Sequence, residues 1–265
     1  MKNIAVGVSK AVLAGLLVTL MAASAQAASI KVGTTSGPHA EVLEVVKEEA
    51  AKRGLDITII EFNDYVIPNE ALVSGEIDAN TFQTRPFLDN YVKSSGKTVV
   101  DVAKTYVLPL GYYSTKYKSF EELPDGAQVG ISNDPTNAAR ALLLLSHKGV
   151  IKLRDGGHDN STVLDIVENP HNFEFVELEA GQLARSLSDV DAAAINTSFA
   201  IKANLDPAKD AILREDRDSP YSNIIAVGEK DVKAPWLADF ISAFHSDPVK
   251  QALAVQLKGA AVPAW

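Results

Sequence analysis

Two similar stretches of sequence, far apart along the chain, constrain the fold more than any other feature. Residues 72–82 are partly repeated at 187–199. Both read as a helix end, a tight turn and a short apolar strand carrying Asp-Ala, followed by Asn-Thr and an aromatic residue. Each half also opens with a short apolar strand, a proline-containing turn and a helix, beginning at residues 31 and 128. Two similar α/β halves in one chain predict two lobes with a cleft between them.

Strands and helices alternate along the chain. Apolar runs predict strands at residues 30–34, 56–62, 77–79, 99–102, 106–113, 129–131, 192–195 and 224–227. Helical spacing of apolar residues, with glycine or proline at the ends, predicts helices at 40–53, 69–74, 86–95 and 136–148. This alternation implies mostly parallel sheets with both faces covered. Ligands of such sheets bind at the carboxyl ends of strands, so residues that directly follow strands are the first site candidates.

The first 27 residues are predicted to be a signal peptide. Lys2 and Lys10 supply positive charge, residues 11–23 are apolar, and a small-x-small site ends at Ala27. The apolar run is too short to span a bilayer comfortably. The alternative is a buried helix of the fold. Cleavage after Ala27 predicts an exported, periplasmic protein.

The charge and the lack of cysteine exclude several classes of function. The formal net charge is −9, and loss of the two lysines of the signal peptide takes it to −11. This opposes binding to nucleic acid or to an anionic membrane surface. Without cysteine there is no disulfide, no thiolate metal site, no cysteine nucleophile and no lipidated N-terminal cysteine. We therefore expect a soluble protein after cleavage.

Arg140 is the strongest candidate for binding an anionic group. It lies about one helical turn after Asn137, so both share a face near the N-terminus of a predicted helix. Helix amides and a guanidinium suit a carboxylate, which arginine can grip with two hydrogen bonds. The alternative is an ordinary surface arginine.

Two further asparagines adjoin predicted strands. Asn196 follows one directly, and its amide can donate to a carboxylate and accept from an ammonium group. Asn223 precedes the strand at 224–227. The alternatives are a turn or cap asparagine for Asn196 and a strand-start residue for Asn223.

Three aromatic residues are candidates for an apolar pocket. Tyr65, Phe82 and Phe87 lie close together in the sequence, and their rings could contact a sulfur atom or a hydrocarbon tail. The alternative for each of them is ordinary core packing.

Catalytic patterns are weak. The five histidines show no metal-ligand spacing, and there is no nucleophile elbow, phosphate loop or dinucleotide motif. Asp78 and Asp191 occupy matching places in the repeat and could act as a pair, but structural hydrogen bonds at strand ends explain them as well. We expect no enzyme, no metal site and no cofactor.

The chain resembles the methionine-binding lipoprotein family, the substrate-binding components of methionine ABC importers. The similarity covers nearly all of the mature chain. It is carried by IKVG at 30–33, FNDYVIPNEAL at 62–72, GEIDANTFQ at 75–83, NDPTNAARALLLL at 133–145, VLDIVENP at 163–170, VELEAGQLARSL at 176–187, AAINTSFA at 193–200 and DSPYSNIIAV at 218–227.

The resemblance implies a two-lobed periplasmic-binding fold, type II-like, that closes around an amino acid. Arg140 and Asn196 would hold the carboxylate and backbone end, with Asn223 assisting. Tyr65, Phe82 and Phe87 would surround the side chain. Members that bind methionine often have histidine where Thr84 stands and tyrosine where Phe87 stands, and the family usually carries a lipidated cysteine that this chain lacks.

The sequence therefore predicts a periplasmic substrate-binding protein that delivers methionine, or a close derivative, to an ABC permease with its ATPase. We expect a monomer. Lobe I should comprise residues 28–107 and 221–265, and lobe II residues 108–220. The ligand site should contain Tyr65, Phe82, Thr84, Phe87, Asn137, Arg140, Asn196 and Asn223. The rival hypotheses are an exported enzyme acting on amino acids or short peptides, and an adhesion or chaperone protein without a small ligand.

Overall fold

The computed structural model of the protein describes residues 28–265, and the predicted signal peptide lies outside them. The strands are β1 Ala28–Thr35, β2 Leu55–Phe62, β3 Ala79–Asn80, β4 Val99–Val107, β5 Gly111–Tyr113, β6 Gln128–Ser132, β7 Lys152–Leu153, β8 Ile166–Glu168, β9 Glu174–Leu178, β10 Ala192–Ile195, β11 Ala211–Arg214, β12 Ser222–Gly228 and β13 Val262–Pro263. The helices are α1 Pro38–Ala51, α2 Ile67–Ser74, α3 Arg85–Ser95, α4 Pro135–His147, α5 Thr197–Lys202, α6 Leu237–Phe244 and α7 Asp247–Gln256.

These strands form two main sheets. The first sheet has the order β13-β4-β12-β3-β1-β2, and the second has the order β11-β5-β10-β6-β9. Both are mixed. In the first sheet β1 runs parallel to β2 and β3, while β12 runs antiparallel to β3 and β4. In the second sheet β6 runs parallel to β9 and β10, while β5 runs antiparallel to β10 and β11.

The chain passes between the sheets twice. It leaves the first sheet after β4, enters the second at β5, and returns between β11 and β12. The single strand expected at 106–113 is divided, because its first residues complete β4 and its last residues form β5. Pro109 lies in the gap, where its missing N–H costs no ladder hydrogen bond. We call residues 108–110 the first crossing and residues 215–221 the second crossing.

The sequence repeat has a structural counterpart. The Asp78 carboxylate accepts a hydrogen bond from the Lys31 backbone N–H at 2.7 Å, and the Asp191 carboxylate accepts one from the Gln128 N–H at 2.9 Å. Each aspartate N–H in turn donates to the carbonyl oxygen of the same partner. Asp78 and Asp191 therefore join strand ends in two different sheets and do not form a catalytic pair.

Both faces of each sheet are covered by apolar side chains. On the first sheet Ile225 and Val227 of β12 face the cluster that contains α1, α6 and α7, while their neighbours Ile224 and Ala226 face the cluster that contains α2 and α3. On the second sheet the alternate residues of β10 divide in the same way, between α4 on one side and α5 with residues 183–190 on the other. This period of two is that of a strand buried on both faces.

Among the described residues, no helix combines the length and the apolar character that a membrane span needs.

Gly33 of β1 lies where the packing of neighbouring side chains leaves no room for a side chain of its own. A Cβ atom there would lie 2.5 Å from Cδ1 of Ile77 and 3.0 Å from Cε2 of Phe62. We expect Gly33→Ala to lower the free energy of unfolding by roughly 1–3 kcal/mol, the usual cost of overpacking. Gly228→Ala is the control, since its nearest neighbour would be a carboxylate oxygen at 3.8 Å. Denaturant titration should separate the two variants; equal midpoints would contradict this packing argument.

Candidate functional site

A cavity lies between the two sheets, beside both crossings. It contains about 400 Å³ of space outside the protein atoms, counting the part that is open to solvent. The lining residues are His39, Tyr65, Phe82, Gln83, Thr84, Phe87, Leu108, Asn137, Arg140, Asn196, Thr197, Ser198 and Asn223.

The structure brings all eight residues singled out from the sequence to this cavity. Those near the first sheet are mostly aromatic: Tyr65, Phe82, Thr84, Phe87 and Asn223. Those near the second sheet are polar or charged: Asn137, Arg140 and Asn196. The two walls therefore differ in chemistry, and a molecule between them would meet aromatic rings on one side and hydrogen-bonding groups on the other.

Arg140 of α4 is buried, with its side chain only 4% exposed, and a carboxylate already pairs with it. Its Nε donates to one carboxylate oxygen of Glu215 at 2.8 Å, and its Nη2 donates to the other at 2.6 Å. Nη2 also donates to the Leu108 carbonyl at 2.8 Å. We expected Arg140 to grip a ligand carboxylate with two hydrogen bonds, and in this arrangement Glu215 occupies the Nε–Nη2 edge of the guanidinium. Within residues 28–265, Nη1 makes no hydrogen bond and remains available to a ligand.

Asn137 and Asn196 form a hydrogen-bonded pair across the second lobe's wall. The Asn196 Nδ2 donates to Oδ1 of Asn137 at 2.9 Å, and Nδ2 of Asn137 donates to the Asp134 carboxylate at 3.0 Å. Asp134 is the N-cap of α4 and also accepts from the Asn137 N–H at 2.9 Å. The cap thus fixes the rotamer of Asn137, and Asn137 fixes Asn196.

Asn223 and Thr84 lie opposite each other. They form an isolated antiparallel bridge between the residue before α3 and strand β12. The Asn223 Nδ2 donates to the Tyr106 carbonyl at 3.2 Å, which leaves Oδ1 as an acceptor. An acceptor without a formal charge, in the same cavity as an arginine, suits the ammonium end of a ligand whose carboxylate faces the arginine.

The three aromatic residues contact one another. Tyr65 lies edge-on to Phe87 with ring centroids 6.0 Å apart, and Phe82 lies edge-on to Phe87 at 5.9 Å. Tyr65 also packs on Phe199 of α5, with centroids 5.0 Å apart. Burial raises the pKa of the Tyr65 hydroxyl, which stays protonated and lies 3.5 Å from the Ser198 hydroxyl. The aromatic wall therefore reaches from the first lobe to the second.

Sequence reasoning missed His39, Gln83, Leu108, Thr197 and Ser198. His39 follows Pro38 at the start of α1, directly after a strand and a turn, and that position was the signal that could have found it. Thr197 and Ser198 follow Asn196 at the start of α5. Gln83 pairs with Asn69 through two reciprocal amide hydrogen bonds of 2.9 and 2.7 Å, and this buried pair supports the wall from behind.

Lys202 connects the two lobes outside the cavity. Its Nζ, at the end of α5, donates to the Ser36 hydroxyl at 2.5 Å and to Oδ1 of Asn63 at 3.0 Å. Ser36 also donates to Asn63 at 2.8 Å. Both partners belong to loops that follow strands of the first sheet, so the three residues hold the lobes together in this arrangement.

No group of three or more histidine, cysteine, aspartate or glutamate side chains within residues 28–265 is arranged to hold a metal ion. The cavity offers one guanidinium, amides, hydroxyls and aromatic rings.

Two α/β lobes, two chain crossings and a cavity of mixed chemistry between them define a two-lobed binding protein, and the predicted fold class is confirmed. The model of the NlpA lipoprotein family matches residues 30–265. The D-methionine-binding lipoprotein MetQ of Salmonella typhi is 49% identical over 239 residues, covering 89% of this chain and 88% of that protein. The chain belongs to the NlpA lipoprotein family, and the resemblance drawn from the sequence is confirmed.

Solved structures agree with this assignment. A nutrient-binding protein of Burkholderia cenocepacia bound to methionine is 51% identical, with a TM-score of 0.87 over 89% of this chain and all of that one. An ABC transporter periplasmic substrate-binding protein of Coxiella burnetii is 45% identical, with a TM-score of 0.86 over 89% of this chain and all of that one.

The buried His39 makes the stability of the protein depend on pH. Its Nδ1 lies 2.5 Å from the Tyr106 hydroxyl, and burial lowers its pKa to about 4. The unfolded chain takes up a proton near pH 6.5 and the folded protein only near pH 4. The contribution of His39 to the stability of the native state is therefore fully present above pH 6.5. It is lost as the pH falls toward 4, and the loss is roughly 3 kcal/mol at about 1.4 kcal/mol per pKa unit.

His39→Asn should flatten this dependence, because asparagine can accept from the Tyr106 hydroxyl and does not titrate. The measurement is denaturant unfolding of both proteins from pH 7.5 to 4. Other titrating groups cancel in the difference between the two. A difference that stays constant over this range would show that His39 is not the cause.

Proposed function

We propose that this protein is the substrate-binding component of an ABC importer and that it binds methionine, or a close derivative, in the cavity between its lobes. The observation that carries the proposal is the division of the cavity into an aromatic wall and a polar wall with one arginine. An amino acid with an apolar side chain has two matching parts: its side chain suits the aromatic wall, and its charged backbone end suits the polar wall. The family, the MetQ relatives and the methionine-bound neighbour support methionine as that amino acid.

In this proposal each wall binds one end of the ligand. Nη1 of Arg140 and the amide of Asn196 bind the carboxylate, with Asn137 holding Asn196 in place. Oδ1 of Asn223 accepts from the ammonium group. Tyr65, Phe82 and Phe87 surround the thioether side chain, whose polarizable sulfur suits aromatic contacts. Thr84 and Phe87 border the end of this pocket, and we expect them to influence the choice between methionine isomers and a methionine-containing dipeptide.

Binding involves opening and closing of the lobes. The proposed lobe I comprises residues 28–107 and 221–265, and lobe II comprises 108–220, which agrees with the sheet membership of the strands. The lining of the cavity is shared between the two proposed lobes. Rotation at the two crossings would open it, and closure would remove water from the charged contacts.

The family consists of lipoproteins, and a related structure is a periplasmic substrate-binding protein. We propose that this protein works in the periplasm, cleaved after Ala27 and not anchored, since the sequence contains no cysteine for lipidation. Its proposed partners are a permease and its ATPase, and it acts as a monomer without cofactor. No turnover is proposed: methionine should be recovered unchanged after binding, whereas conversion would favour the rival hypothesis of an enzyme.

Calorimetry with L-methionine, D-methionine and glycyl-methionine tests the proposal directly, and Arg140→Ala tests the site. Loss of the guanidinium leaves the ligand carboxylate unmatched, at a cost of roughly 3–5 kcal/mol. The affinity should fall by about two to four decades at ~1.4 kcal/mol per decade. Arg214→Ala is the matched control, because Arg214 lies in the same lobe away from the cavity.

Arg140→Ala also leaves Glu215 buried without its partner, so thermal unfolding must first show that the variant is folded at the temperature of the titration. A folded variant whose affinity changes less than threefold would remove Arg140 from the site.

Lys202→Ala tests lobe closure. The loss of its two hydrogen bonds to the first lobe should destabilise the closed form by about 1 kcal/mol. The dissociation rate of methionine should rise about two- to tenfold with little change in the association rate. Stopped-flow fluorescence measures both rates. Lys209→Ala is the control, since Lys209 pairs with Asp206 of the same lobe. A variant that dissociates at the wild-type rate would show that Lys202 does not contribute to closure.

A further inference from the structure

Within the described part of the chain, Glu215 is the one carboxylate that pairs directly with the arginine of the cavity. It lies 75 residues away in the sequence, in the second crossing. Its side chain is 9% exposed. Besides the two hydrogen bonds from Arg140, it accepts one from the Leu110 N–H at 2.9 Å and one from the Ser219 hydroxyl at 3.0 Å. Four donors surround a single buried carboxylate, so its position is strongly determined.

Glu215 also determines the position of the guanidinium. Arg140 is held by Glu215 on one edge, by the Leu108 carbonyl at Nη2, and by the Tyr221 ring, whose centroid lies 4.4 Å from Cζ. These contacts belong to both crossings and leave only Nη1 for a ligand. In this arrangement a ligand carboxylate would therefore meet one nitrogen of Arg140.

Glu215 also affects the charge of the cavity. Among residues 28–265, Arg140 is the only charged residue that lines the cavity once His39 is neutral. Glu215 balances the charge of Arg140. The Asp134 carboxylate accepts a hydrogen bond from the Asn137 side chain, and the N-terminus of α4 offsets part of its negative charge. The cavity thus has an arginine but no net positive charge.

Building on the proposed function, we propose that Glu215 is a positioning residue that makes the cavity selective for zwitterions. It holds Arg140 with Nη1 toward the ligand and balances its charge, so that an α-amino acid binds well while an acid of equal size without the ammonium group gains little from the arginine. The suitable probe is 4-methylthio-2-hydroxybutanoate, in which a hydroxyl replaces the amino group of methionine.

The experiment measures the dissociation constants of methionine and of this hydroxy acid for the wild type, Glu215→Gln, Glu215→Asp and Asp216→Asn. Asp216 is adjacent and exposed, and it pairs with Lys148, so its variant removes the same charge without touching Arg140. The wild type should prefer methionine by tenfold or more. Glu215→Gln should shift this preference by tenfold or more toward the hydroxy acid, because at an effective dielectric constant of ~20 a unit charge still changes an equilibrium about tenfold from roughly 12 Å away.

Glu215→Asp keeps the charge but shortens the side chain. It should weaken both ligands together and leave the preference near the wild-type value, and Asp216→Asn should change neither. A folded Glu215→Gln with the wild-type preference overturns the inference, and so does a wild type that binds both acids equally. A wild type that binds no methionine refutes the proposed function instead.

A crystal structure of the wild type with methionine tests the role of Glu215 even if Glu215→Gln does not fold. The inference requires the ligand carboxylate on Nη1, with Nε and Nη2 still bonded to Glu215. A ligand that displaces Glu215 from Arg140 would overturn it.

Discussion

The pairing of Arg140 with Glu215 connects the parts of this protein that must act together. A buried charge is costly unless it is paired and hydrogen-bonded, and the donors and acceptors that satisfy this pair come from α4 and from both crossings. The same guanidinium lines the cavity. Any movement at the crossings therefore changes the surroundings of the residue proposed to bind the ligand, which gives a physical basis for coupling between binding and closure.

The two lobes share a backbone arrangement but place different side chains at the cavity. Asp78 and Asp191 join equivalent strand ends in the two sheets, and the residues that follow β3 and β10 reach the cavity from opposite sides. After β3 come Phe82 and Thr84, and after β10 comes Asn196. The repeated backbone arrangement thus places the ends of β3 and β10 on opposite sides of one cavity. The different side chains that follow these strands form the aromatic wall and the polar wall.

Much of the fold was predictable because local patterns determine it. The apolar runs and glycine or proline ends located β1, α1, β2, α3 and α4 to within a few residues. The division between β4 and β5 was not predictable, since the run around Pro109 looks like one strand until the chain changes sheets. α6 and α7 were also not assigned, because they are defined by packing against α1 and the first sheet.

The sequence by itself determined the class of fold, the family and the eight residues that meet in the cavity, because periodicity, strand ends and long ordered motifs are local properties. The tertiary structure decided how those residues are used. Glu215 lies 75 residues from Arg140 and takes the edge of the guanidinium that the sequence suggested for a ligand. His39 reaches the cavity wall only because α1 packs beside Tyr106. Charge pairing and burial depend on distances in space between residues remote in sequence, and no local pattern contains them.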